Sequence, residues 1–185
     1  MVSCNPFRNM KFRLMFLILA VFLSCKTSSP KLFYGLDEFR LSEAEIFVSG
    51  IQKQPKIVEI SIVDTRRDKN EFRVNGQAVF NDTIQIDQPN AYSYRKRAKE
   101  IAVDENELHQ ILKNFDAMKV SEFKRESRFY LFPVQNYAMS PQLGYLFLLE
   151  GNAKVGDTLE AKSVIGDKIV LKKALQENWF EYTSL

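Results

Sequence analysis

Asn75-Gly76 stands between two short runs rich in apolar residues, and no other feature limits the fold of this chain more. Both residues accept the positive φ angles of a two-residue turn, the kind whose twist matches paired strands. Phe72 and Val74 before the turn and Ala78 to Phe80 after it are therefore expected to form an antiparallel hairpin. Upstream, Val58, Ile60 and Ile62 alternate with Glu59 and Ser61, the period of a half-buried strand. Thr65 to Asn70 reads as a polar connection. Asn81-Asp82 marks a second turn, with Ile84 and Ile86 alternating beyond it. Three or four antiparallel strands follow from this stretch alone.

The rest of the chain alternates helix and strand signals. Asp104 is a capping residue with Glu107 three positions on, and Leu108, Ile111, Leu112, Phe115 and Met118 make one apolar stripe. Its acids lead and its lysines trail, in keeping with the helix dipole. These features predict a helix over about 104–118. Ser42 to Glu45 has a capping-box pattern ahead of Leu41, Ala44, Val48 and Ile51 at helical spacing, so a shorter helix is expected over about 42–50, with Gly50 as its stop. Residues 87–103, with Pro89 and the basic run Arg95-Lys96-Arg97, read as a long connection. Arg128–Phe132 and Tyr145–Leu149 are expected strands. Thr158–Ile165 and Lys168–Ala174 flank the turn signal Gly166-Asp167, and Trp179–Tyr182 reads as a final strand. Strands, a clear helix and strands again predict a single α+β domain over 32–185, built on a mainly antiparallel sheet.

The first 24 residues belong to a different class. Leu14 to Leu23 are ten apolar residues in a row, preceded by Lys11 and Arg13 and closed by Ser24-Cys25. That is about half the roughly 20 residues a membrane-spanning helix requires, and the flanks are those of a secretory signal peptide. Met10 would itself make a compact start, with residues 1–9 an upstream extension. Leu23-Ser24-Cys25 after such a run resembles the lipobox of bacterial lipoproteins, in the looser form typical of the Bacteroidetes. Ser24 fits the small residue before the cysteine; Phe22 stands where Leu is usual, and Leu23 is larger than usual. The resemblance covers residues 10–25. It implies that Cys25 becomes the lipidated first residue of a protein anchored in the cell envelope. Lys26, which is not the Asp of inner-membrane retention, points by analogy to the outer membrane. Residues 25–31 then make a short polar tether.

Removing the signal also changes the charge. The chain has 26 Lys plus Arg and 23 Asp plus Glu, but Arg8, Lys11 and Arg13 all precede Cys25, leaving 23 of each sign. A neutral domain argues against a nucleic-acid partner. Cys4 and Cys25 are the only cysteines, so the domain has no internal disulfide, and one histidine with one committed cysteine cannot build a structural zinc site.

Catalytic patterns are sparse. His109, the sole histidine, sits off the apolar stripe between Glu105 and Lys113, where a solvated surface role is expected rather than that of a general base. No glycine cluster cradles phosphate, no acidic loop has calcium spacing, and no cofactor is implied. Tyr92, Tyr94, Arg95 and Arg97 are the candidate binding residues, with Lys96 among them: Tyr faces and Arg forks suit a glycan, a lipid headgroup or an acidic partner. The competing reading is a solvated charge run answered by Glu100, Asp104, Glu105 and Glu107. Phe129, Tyr130, Phe132 and Tyr137 read as core aromatics. The leading expectation is a lipid-anchored, non-catalytic module binding an envelope protein or glycan. The alternative is an envelope enzyme acting on carbohydrate or peptidoglycan through a pair of carboxylates.

Overall fold

A computed structural model describes residues 35–63, 71–81, 92–135 and 141–185. The expected signal peptide, Cys25, the expected tether, the connection from Thr65, the strand expected at Ile84 and Ile86, and Tyr137 lie outside the described residues. Within the chain, Leu32–Leu185 is one compact unit, and every described residue belongs to it.

The fold is α+β, as expected. After a 3-10 turn at Leu36–Glu38 come α1 (Leu41–Gln52), β1 (Glu59–Ile62), β2 (Glu71–Val74), β3 (Gln77–Phe80), α2 (Tyr94–Ile101) and α3 (Glu105–Met118). Then follow β4 (Glu122–Arg125), β5 (Phe129–Gln135), β6 (Leu143–Leu148), β7 (Thr158–Glu160), β8 (Lys168–Gln176) and β9 (Trp179–Ser184). The strands form one sheet in the order β3-β2-β1-β4-β5-β6-β9-β8-β7, antiparallel throughout.

Asn75-Gly76 makes the β2–β3 turn with φ of 46° and 80°. Asn75 does more than turn the chain. Its side-chain oxygen accepts from the N–H groups of Val58 and Glu59 at 2.9 and 3.1 Å, and its amide donates to Lys56 O at 2.8 Å. The hairpin is thereby fastened to the start of β1. Val58 itself is 48% exposed, contrary to the alternation read from the sequence, because the strand begins only at Glu59.

Period-two alternation along the strands feeds two cores on opposite faces of the sheet. On the front face, Ile60, Phe72, Val74, Val79, Phe123, Tyr130, Phe132, Tyr145 and Trp179 pack under α1 and α3. The stripe expected on α3 is entirely buried there. Phe47 on α1 meets Phe115, Phe123 and Phe132 with ring centroids 5.2–6.0 Å apart. On the back face, Leu131, Leu146, Leu148, Ile169, Leu171, Phe180 and Tyr182 form a second core with Ala161 and Val164 from the β7–β8 connection. Gly144 lets β6 approach β5 closely, since a Cβ there would collide with the backbone of Phe132 and Pro133.

Several sequence expectations are corrected. Residues 87–103 are not one long connection: Tyr94–Ile101 is helical, with the Ser93 hydroxyl accepting from Lys96 N–H at its start. Ser42 does not cap α1, which begins at Leu41 behind Arg40, and Gly50 does not stop it, since the helix runs to Gln52. The strand expected to Ile165 ends at Glu160, because residues 161–167 make a longer connection that buries Ala161 and Val164. β4 has no counterpart in the sequence reading. Glu-Phe-Lys-Arg contains one apolar residue, and only its neighbours β1 and β5 make it a strand.

Candidate functional site

The structure brings the four candidate binding residues together around α2, but it gives most of them internal work. Tyr94 is 3% exposed, with its ring against His109 at 5.0 Å between centroids. Arg97 reaches over the β2–β3 turn, donating to Asn75 O at 3.2 Å and to Glu100 at 3.2 Å, so it ties the helix to the hairpin. Tyr92 is half-buried, with Lys96 Nζ 4.7 Å from its ring centre. Its hydroxyl is buried beside Glu100 and Arg97, without the alignment of a full hydrogen bond. Burial, then the neighbouring Glu100 carboxylate, push the Tyr92 hydroxyl above its ordinary pKa. Glu100 is held below the usual carboxylate value, first by Tyr92 and then by Arg97. Arg95 is the most outward of the four. Its side chain is 45% exposed, 3.8 Å from Glu105 and stacked beside Tyr94. The clustering follows from α2 itself, where Tyr94 and Ala98 at i and i+4 face the core and turn the cations outward and sideways. The Ser93 cap and the Tyr94, Ala98, Ile101 spacing were the available signals for this helix. They are masked by an otherwise charged stretch.

His109 is half-buried rather than solvated. Its Nδ1 lies 2.7 Å from Asn81 Oδ1, and Asn81 Nδ2 donates back to His109 O at 3.4 Å. It therefore joins α3 to the end of β3 and to Tyr94 of α2.

A second polar cluster was missed altogether. On the back face, Glu59 lies opposite Lys124 and Ser61 opposite Glu122 in the β1–β4 register, so Glu59, Glu122 and Lys124 share one patch. The Glu122 side chain is only 9% exposed, and its Oε2 is 3.2 Å from Lys124 Nζ but not aligned for a hydrogen bond. Burial, opposed by Lys124 and reinforced by Glu59, raises the Glu122 carboxyl above the ordinary value. Lys124 Nζ also donates to Ser163 O at 3.0 Å, while Ser163 N–H donates to Glu126 at 2.8 Å. β4 and β7 stand five places apart in the strand order. The two bonds therefore show that the sheet rolls back on itself, with Ser163 clasped to the β4 side. No periodicity announces this cluster; it exists because two distant charged segments meet.

Glu59 lies beside Glu122 on the same face of the sheet, and its carboxylate adds to the upward push on the Glu122 carboxyl. Among the described residues, no group of three or more His, Cys, Asp or Glu could hold a metal ion. No described helix is long and apolar enough to cross a membrane. Compared with known proteins, the chain matches no family model, no curated protein and no solved structure.

Proposed function

We propose that this is a lipid-anchored protein of the bacterial cell envelope, at the outer membrane, whose domain is a non-catalytic module binding an envelope protein or glycan. The observation that carries the reading is the Leu14–Leu23 run closed by Ser24-Cys25. Gly35, where the described residues begin, is ten residues past Cys25, a span of at most about 35 Å when extended. A domain so tethered is confined close to the membrane, which raises its local concentration over any partner held there. The chain enters the fold on a firm mount: Tyr145 donates its hydroxyl to Leu36 O, and Phe39 stacks on the same ring at 3.7 Å.

The test is crosslinking in intact cells with the anchored protein, followed by mass spectrometry of what copurifies. A near-stoichiometric partner lost on Arg95→Glu supports binding through α2. Arg95 is the right residue to change because Arg97 supports the hairpin. Recovery of bulk lipid and peptidoglycan alone would count against a protein partner.

The second reading, an enzyme working through carboxylates, draws on the desolvated Glu122 beside Glu59. It requires hydrolysis of envelope glycans that disappears on Glu122→Gln.

A further inference from the structure

Glu122 places an ionisable group beside the clasp that closes the rolled half of the sheet. Three groups face it: Glu59 from β1, Lys124 from β4 itself, and Tyr182 from β9, whose own hydroxyl is pushed up by burial and by Glu122. Lys124 is shared. The same ammonium group that sits 3.2 Å from Glu122 holds Ser163 O, and Glu126, two residues along β4, receives the Ser163 N–H. Ser163 Oγ is buried without a hydrogen-bond partner in the same neighbourhood. A neutral Glu122 leaves the shared Lys124 ammonium to Ser163 O. An ionised Glu122, its side chain only 9% exposed, draws that ammonium away from Ser163 O, and opening of the connection lets the carboxylate gain water.

We propose that Glu122 is a proton-operated switch for the clasp: with its proton the β7–β8 connection is held against β4, and on losing that proton the connection opens. The inference is independent of the anchor and of any partner.

Linkage fixes the direction. The open protein frees Glu122 toward its ordinary value of 4.5, whereas the closed protein holds the proton to higher pH. Between those two values opening releases one proton, so it becomes easier by up to about tenfold for each pH unit. Above the closed-state midpoint the dependence levels off.

The experiment is amide hydrogen exchange on the full chain in detergent, with rates divided by the intrinsic rate at each pH. Protection at Ser163 and Val164 is expected to fall with pH above 4.5 and to flatten at the Glu122 midpoint read by carboxyl NMR on the same sample. Amides of α3 should keep their protection. Glu122→Gln, which mimics the protonated form, should abolish the fall, and Glu59→Gln should move the flattening to lower pH. Protection at Ser163 that ignores pH in the wild type overturns the proposal. So does a flattening that misses the carboxyl midpoint, or an unchanged fall in Glu122→Gln. The wild-type comparison stands even if a variant does not fold.

Discussion

The two faces of the sheet solve the same problem by different means. The front face is covered by α1 and α3 and filled with aromatic rings, from Phe47 and Phe115 on the helices to Phe123, Phe132 and Trp179 on the strands. The back face is covered by no helix among the described residues; the sheet rolls until β8 and the β7–β8 connection enclose Leu131, Leu146, Ile169 and Leu171. One core rests on helix packing and the other on closure of a roll. β5, β6 and β9 serve both, each sending alternate side chains to opposite sides.

That contrast can be broken or sharpened by substitution. The largest effect is expected from Phe47→Ala, which empties the centre of the front core and should cost about 4 kcal/mol in urea unfolding. Leu131→Ala in the back core should cost about 3 kcal/mol. Because the strands are shared, tryptophan fluorescence and far-UV circular dichroism should report a single transition in both variants. Two separated transitions would mean that the cores are independent. Arg125 comes next. Its guanidinium donates to Ile51 O, Gln54 O and Ile57 O, and to the Tyr130 hydroxyl at 2.6 Å, so it joins the end of α1 to the sheet. Arg125→Ala strips these groups of a charged donor and should lower stability by about 2–3 kcal/mol, with exchange rising first at the last turn of α1. Asp104 accepts from Asn106 and Glu107 N–H at 2.9 and 3.1 Å, and Asp104→Ala should cost about 1 kcal/mol in the same assay. Arg95→Glu, on an exposed pair, should change stability by less than about 0.5 kcal/mol, which keeps it clean for partner capture.

The front face was far more legible in the sequence than the back. A 3.6-residue stripe such as Leu108 to Met118 says which side is buried without knowledge of a partner. The turn at Asn75-Gly76 fixes its hairpin from two residues. The strands of the rolled half are marked by Gly166-Asp167 and by Trp179–Tyr182, but nothing local marks its closure. Glu122 to Arg125 reads as surface, and it becomes a central strand only through Ile60 and Leu131 across the ladder. The cluster of Glu59, Glu122 and Lys124 was invisible for the same reason. Tyr92, Tyr94, Arg95 and Arg97 were grouped by their adjacency in the sequence. Their roles were not legible, because whether Arg97 faces solvent or Asn75 depends on a hairpin turn 22 residues away.

The functional account turns on Cys25. Its most direct test is the intact mass of the protein extracted from the membrane fraction of its own cells. A chain beginning at Cys25 and heavier by covalent lipid is the predicted result. A chain that still carries the Leu14–Leu23 run, or one cut there with an unmodified Cys25, would contradict it.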